Sequence, residues 1–384
     1  MEFKKGELFC GPGGLSLGAQ RPLIVSNTGE EFKVTHEWAN DIDENTLETF
    51  KRNISKKNII PGDVREIDLT SLPDIDALAF GFPCNDYSIV GETKGMDGEY
   101  GPLYSYGVKV IELQNPDWFI AENVGGLQSA NEGQAFLKIL EDMENAGKYG
   151  YNLTPHLYKF EEYGIPQARH RIIIVGIRKD KSLEFKVPKP THVGRSSWKT
   201  SKQAIENPPI NEDAFNHDFT RHNSKVVEML AHIPQGGNAW SDEIPEHLRL
   251  NVKGAKLSNI YKRLHPDLPA YTVTGSGGGG THMYHYDNCR ALTNRERARL
   301  QTFPDDFEFI GGKESVRKQI GMAVPPDAAE IIIEAILKTF AEIEYDWIEP
   351  KWKGRVAELL EKKKKKATKS TLEHQIEAEL ISKQ

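Results

Sequence analysis

Glu7-Leu8-Phe9-Cys10-Gly11-Pro12-Gly13-Gly14 reads as a short strand that runs into a glycine turn and then into a helix. Glycines let a backbone approach a ligand closely, and a helix N-terminus favours negative charge. Taken alone, the stretch reads equally well as an ordinary βα turn, and its spacing is not the dinucleotide pattern G-x-G-x-x-G. The sequence that follows repeats the unit. Up to about residue 180, short β-branched or apolar runs alternate with amphipathic helical patterns, which predicts a parallel sheet with crossover helices. Strands are predicted at Glu7–Phe9, Lys33–Glu37, Ala77–Gly81, Trp118–Ala121, Asn152–Lys159 and Arg171–Ile177, and helices at Thr46–Arg52, Leu103–Leu113 and Ala135–Ala146.

From about Leu183 the pattern gives way to Pro-, Gly- and Asn-rich sequence that includes Ser276-Gly277-Gly278-Gly279-Gly280, as expected of a loop-rich second domain. Order returns with a helix at Leu292–Gln301, opened by a Thr293–Glu296 capping box, and with a strong helix at Ala328–Phe340. The expected division is residues 1–182 for a catalytic and cofactor-binding domain and 183–312 for a recognition domain. Residues 313–345 form a return segment, and 346–384 a basic helical tail.

Three cysteines cannot build a disulfide framework, and the start at Met1 leads into a strand with no signal peptide and no membrane-length apolar run. A soluble, cytoplasmic protein is expected. The net charge of −7 is unevenly spread: from Lys351 onward ten Lys/Arg face five Asp/Glu, a net of +5, which leaves −12 for residues 1–350. Contact with nucleic acid must therefore come from local basic clusters, not from the global field. The run Lys362–Lys366 is read as a solvated face or tail before it is read as a phosphate contact.

Chemistry concentrates at strand ends. The run Ala77–Phe82 ends in Pro83-Cys84, which presents a thiol at the sheet edge, and Glu122-Asn123 closes a second apolar run 38 residues later. A thiol and an acid held this way suit attack on an electron-poor ring that is protonated as it is attacked. Gly91, Gly95, Gly98 and Gly101 make the intervening segment able to close over a substrate. Glu37 ends the second predicted strand, where an acid accepts hydrogen bonds from a ribose, and Trp38 is placed to stack on a purine. Asp63 follows a Pro-Gly turn at a third such position. An adenosine-containing ligand fits these cues. Arg169 and Arg171 share a face by strand alternation and form a candidate clamp for a phosphate or carbonyl oxygen, or a solvated strand edge. His282, His285 and Cys289 match no zinc spacing and are read as structural or DNA-contacting, with no metal.

Together these segments resemble the DNA (cytosine-5)-methyltransferase family, bacterial and of restriction–modification type. Phe9–Gly14 resembles the cofactor loop, Gly81–Cys84 the nucleophile motif, Glu122–Val124 the acid motif and Gln167–Arg171 the Q-x-R-x-R motif. Arg290–Glu296 through Arg299–Asp305 resembles the segment that anchors the recognition domain, and Gln319–Pro326 the closing motif. Two residues depart from the pattern: Asn85 stands where Gln is usual, and Met322 where Asn is usual.

The resemblance implies an α/β, Rossmann-like S-adenosylmethionine-dependent methyltransferase sheet with a smaller loop-rich target-recognition domain. It implies S-adenosyl-L-methionine as methyl donor, bound by Phe9, Gly11, Gly13, Gly14, Glu37, Trp38 and Asp63, with Leu103, Met322 and Val324 lining the same pocket. It implies Cys84 as nucleophile toward C6 of a flipped-out cytosine, Glu122 as the acid at N3, Arg169 on the cytosine carbonyl or an adjacent phosphate, and Arg171 on the Glu122 region or backbone. The expected partners are double-stranded DNA and a cognate restriction endonuclease, with the enzyme a monomer. Alternatives are a tRNA cytosine-5 methyltransferase, whose aromatic-threonine motif is not found here, and a catalytically silent DNA-binding homologue. A nucleotide-dependent dehydrogenase on a similar sheet is disfavoured by the loop spacing.

Overall fold

Along Ala77–Gly81 small and large apolar residues alternate, and that alternation sets the layers of the molecule. Ala77 and Ala79 face a cluster with Ile332, Ile333, Ile336 and Leu337, whereas Leu78 and Phe80 face a second cluster with Val110, Ile111, Ile139 and Leu140. A strand buried on both faces needs helices on both sides, and the chain supplies them. This computed structural model describes residues 1–82, 103–127, 134–251, 257–275 and 279–352. Cys84, Asn85, the glycines at 91, 95, 98 and 101, Ser276–Gly278 and the lysine run at 362–366 lie outside the described residues.

In chain order the elements are β1 (Glu2–Leu8), α1 (Gly14–Ala19), β2 (Leu23–Val25), β3 (Glu31–Asp41), α2 (Glu44–Asn53), β4 (Ile59–Pro61) and β5 (Ala77–Gly81). They continue with α3 (Tyr104–Gln114), β6 (Trp118–Val124), α4 (Gln134–Glu144), β7 (Tyr151–Lys159), β8 (Gln167–Ala168) and β9 (His170–Arg178). The remainder are β10 (Val187–Pro188), α5 (Ser201–Glu206), α6 (Ser224–Ala231), β11 (Ala270–Tyr271), α7 (Asn294–Leu300), α8 (Lys313–Met322), α9 (Pro326–Phe340) and β12 (Trp347–Ile348). Local chemistry sets several of the boundaries. Asp43 caps α2 by accepting the Thr46 N–H, and Thr293 with Glu296 forms the expected capping box on α7.

The main sheet has the order β2-β3-β1-β5-β6-β9-β7, with β4 beside β3. Strands β1, β3, β4, β5 and β6 run parallel, so their carboxyl ends share one edge. The order reverses at β1, which has β3 on one side and β5 on the other, and such a switch point opens a crevice for a ligand. The sheet is mixed, not parallel throughout as expected: β9 is antiparallel to both β6 and β7, and β2 to β3. This reversal matters, because it brings the amino end of β9 to the carboxyl end of β6.

The later part of the chain is built from short elements around two smaller apolar clusters, one with Leu264, Leu292, Phe303 and Phe307, the other with Leu230, Ile244 and Tyr284. It is joined to the main body by β11, which pairs with β8, while β12 pairs with β10. Among the described residues no helix is long and apolar enough to cross a membrane.

Candidate active site

The glycine turn after β1 is shaped by residues that L side chains would strain. Gly11 and Gly13 have φ of +55° and +97°, in the left-handed region that glycine enters freely. A Cβ on Gly14 would lie 2.2 Å from the Val324 carbonyl oxygen, so the absence of a side chain lets the closing segment touch the loop. A Cβ on Gly11 would meet nothing within 4 Å: the loop faces open space at the sheet's carboxyl edge. Beneath it, buried Lys5, Glu7 and Ser16 bond to one another, with Ser16 Oγ 2.9 Å from Lys5 Nζ and 2.5 Å from Glu7 Oε2. This triad fills the base of the turn with mutually satisfied polar groups.

The structure corrects the next two assignments. Strand β3 runs on to Asp41, so Glu37 and Trp38 lie inside it and not at its end. Trp38 is fully buried over Gly6, and its Nε1–H donates to the Pro73 carbonyl at 3.0 Å. Nothing is left of it for a purine to stack on. Glu37 is paired with Lys57 Nζ at 2.7 Å. The acid at the carboxyl end of β3 is Asp41, whose Oδ2 accepts the Gly11 N–H at 2.9 Å. Burial raises its pKa, while the N–H groups of Asp43 and Gly11 oppose that shift. Ile42, next in sequence, is 67% exposed and offers an apolar surface at the same edge. An open glycine turn, a carboxylate bonded to it and an exposed apolar neighbour fit the adenosine part of S-adenosylmethionine.

Of the other expected pocket residues, Asp63 follows β4 at that edge and is paired with Arg65. Met322 is exposed at the end of α8, and Val324 packs over the glycine turn. Leu103 is buried with Phe82 and Tyr104 in the core. Replacing Asp41 by Asn keeps an acceptor for Gly11 but removes the charge. A charged hydrogen bond is worth about 1.5–3 kcal/mol, so the KM for S-adenosylmethionine should rise about 10- to 100-fold with kcat little changed. Steady-state kinetics at saturating DNA reads this directly, and an unchanged KM would return the role to another acid.

At the neighbouring strand ends, β5 and β6 place Gly81 opposite Glu122. A Cβ on Gly81 would stand 3.3 Å from Glu122 Oε2, so glycine leaves room for the carboxylate. Asn123 Nδ2–H donates to the Phe82 carbonyl at 3.1 Å and ties the two strand ends together. Cys84 comes two residues later and lies outside the described residues. Glu122 pairs across the antiparallel ladder with Ile173, and Arg171 shares the face of Ile173. The diagonal contact follows: Arg171 Nε donates to Glu122 Oε1 at 2.8 Å.

Arg169 does not join it. It sits at the break between β8 and β9, 2% exposed, and donates to the carbonyls of Val273, Gly321 and Ala323 at 3.0, 3.1 and 3.1 Å. The reading of Arg169 as a substrate clamp is therefore corrected: its guanidinium ties three backbone segments together. Gln167 does similar work, which the sequence reading missed. Its Nε2–H donates to the Leu300 carbonyl at 3.2 Å and to Gln301 Oε1 at 2.8 Å, and its Oε1 accepts the Val273 N–H at 2.7 Å. Gln301 Nε2 continues the chain to the Ile320 carbonyl at 2.6 Å.

His282 and His285 are buried, and Cys289 is half-buried. His285 Nδ1 accepts backbone N–H groups from Asp287 and Asn288, a turn-forming role. No group of ligands able to hold a metal ion occurs among the described residues.

Comparison with known proteins gives a consistent picture. Residues 3–338 match the family described as C-5 cytosine-specific DNA methylase. Type II methyltransferase M.BbvI of Brevibacillus brevis is 67% identical over 360 residues, covering 92% of this chain and 95% of that protein. Type II methyltransferase M.NgoFVII of Neisseria gonorrhoeae is 41% identical over 342 residues, covering 87% of this chain and 86% of its own. Among solved structures, an E. coli prophage-encoded DNA modification methyltransferase superposes with a TM-score of 0.67 at 22% identity, over 88% of this chain and 99% of that one. That structural likeness speaks to the fold alone.

Proposed function

Because the chain belongs to the C-5 cytosine-specific DNA methylase family, we propose that it methylates C5 of a flipped-out cytosine through the residues gathered at the ends of β5, β6 and β9. The observation that carries this assignment is the Glu122 carboxylate, held by Arg171 at 2.8 Å beside the strand that leads into Cys84. S-adenosylmethionine supplies the electrophilic methyl group. Asp41 and the Gly11–Gly14 turn would hold its adenosine part at the end of β1, with Ile42 and Asp63 along the rim.

A cytosine in duplex DNA is stacked and paired, so it leaves the helix to reach this edge, at an expense of a few kcal/mol. The Cys84 thiolate adds to C6, forming the S–C6 bond and moving the ring electrons toward C5. Glu122 supplies a proton to N3, which drains charge from the ring and makes C6 electrophilic. Arg171 fixes the carboxyl group in the plane this requires. C5 takes the methyl group as the donor's sulfur–methyl bond breaks and leaves a neutral thioether; the C5 proton then departs to a base, the S–C6 bond breaks, N3 returns its proton to Glu122, and Cys84 leaves as thiolate.

The segment between β10 and α7 serves target recognition, with guanine read by arginine in the major groove as the expected kind of contact. We also assign the chain to the modification half of a restriction–modification system, acting as a monomer in the cytoplasm beside a cognate endonuclease. Its identity to Type II methyltransferases supports the modification role.

The test is transfer of labelled methyl from S-adenosylmethionine to duplex DNA and to tRNA in parallel, followed by bisulfite sequencing of the DNA. Label is expected in DNA alone, with protected cytosines at one short sequence. Label in tRNA alone would overturn the substrate, and label in neither would overturn the activity.

A further inference from the structure

The turn that leads from β7 to β9 buries a carboxylate with little to meet it. Glu161, in the 3-10 turn Phe160–Tyr163, is buried, and its Oε2 has no hydrogen-bond partner among the described residues. Its Oε1 lies 2.7 Å from His170 Nε2. A carboxylate oxygen only accepts, so Nε2–H is the donor. Lys159 gives Glu161 no help, since its Nζ reaches Glu162 Oε1 at 3.5 Å. A buried carboxylate left half-satisfied costs stability, and an apolar side chain would fill the turn without that cost. What the acid achieves is to hold one imidazole.

His170 opens β9 directly before Arg171, opposite Lys159 in the ladder. Just before it, the Arg169 carbonyl accepts the Phe160 N–H at 3.1 Å, which ties the turn to the same stretch of backbone. A Cβ on Gly125, shortly beyond Glu122 in the chain, would stand 3.7 Å from the His170 carbonyl oxygen, so the segment leaving β6 packs against it. That carbonyl also accepts from Arg171 Nη1 at 2.9 Å, while Arg171 Nε donates to Glu122 Oε1 at 2.8 Å. One guanidinium therefore spans the His170 backbone and the Glu122 carboxyl group. The path runs from the Glu161 carboxylate through the His170 imidazole and carbonyl to the Arg171 guanidinium, and ends on Glu122.

We propose that Glu161 and His170 are positioning residues for proton transfer to the cytosine ring: they fix the carbonyl that aims Arg171, and through it the plane of the Glu122 carboxyl group. Neither residue has to touch the substrate. Misplacement of a reacting group by about 1 Å is enough to cost about 10^2-fold in rate, so a pair two contacts away has leverage. The proposal rests on the reading of Glu122 as the acid at N3.

The test uses the full-length enzyme with Glu161→Met and His170→Ala, each alone and combined with Glu122→Gln. Labelled methyl transfer gives kcat and the KM for S-adenosylmethionine, and a duplex titration gives DNA affinity. Each single variant should lose about 10- to 100-fold in kcat, with KM and DNA affinity within a few-fold of wild type. Neither should lower kcat further once Glu122 is Gln, because the proton they help to place is gone. His170→Gln, whose amide N–H reaches toward Glu161, should recover most of the rate. A kcat near wild type would overturn the proposal, as would an undiminished loss in the Glu122→Gln background or a loss of DNA affinity in step with kcat. His170 has a side chain 46% exposed, so His170→Ala keeps the test decisive if Glu161→Met does not fold. The reading beneath is checked first: an inactive wild type, or a normal kcat for Glu122→Gln, would remove that reading and the proposal with it, whereas the other outcomes sink the proposal alone.

Discussion

A Cys84→Ser variant will bind duplex DNA as the wild type does and transfer no methyl group. The thiolate is the species that attacks C6, and a thiol of pKa about 8.5 reaches that state far more readily than a serine hydroxyl. Removing a nucleophile leaves only the binding and orientation terms, so the loss in kcat should exceed about 10^3-fold. Serine is close in size, and the strand end before it is fixed by Asn123 on the Phe82 carbonyl, so the fold has no reason to change. Labelled methyl transfer and a gel-shift titration give the two readings. Duplex carrying 5-fluorocytosine sharpens the experiment: fluorine at C5 cannot depart as a cation, so the wild type should be trapped as a denaturant-resistant adduct and the variant should not. Turnover by Cys84→Ser near the wild-type rate would remove the nucleophile from the scheme.

Glu122→Gln should lower kcat by about 10^2- to 10^4-fold while DNA affinity stays within a few-fold. The amide can accept from Arg171 Nε in the carboxylate's place, so the local geometry at the ends of β6 and β9 survives. What it lacks is a proton to give N3. The split between kcat and binding is the informative part, because a purely structural acid would lose both together. A variant that keeps normal kcat would leave N3 protonation to solvent and take Glu122 out of the chemistry.

Much of this arrangement was legible before any coordinates. Ala77–Gly81 is bounded as expected, and the capping residues Thr293 and Glu296 announced α7. Strand β3 was read short for a physical reason. Its alternation of buried and exposed residues holds as far as Val34, but from His36 to Asn40 every residue is buried, because both faces are covered there. A period-two signal cannot survive that, and the acid at the true strand end, Asp41, was passed over for Glu37.

The antiparallel turn from β7 to β9 had a cue that went unused: only ten residues separate Lys159 from His170, fewer than a parallel crossover needs. The separation of Arg169 from Arg171 had none. The break between β8 and β9 comes from pairing with β11, about a hundred residues downstream, and no local pattern records such a contact.

The amide chain from Gln167 through Gln301, with Arg169 alongside, governs how this enzyme can be rebuilt. It anchors Val273, Leu300, Ile320, Gly321 and Ala323 to one short stretch before β9. A chimera that imports foreign sequence specificity must splice on the near side of Val273 and preserve its backbone. A graft cut beyond that point would inherit the other parent's seam, and the transplanted half would lose its alignment with the methyl donor.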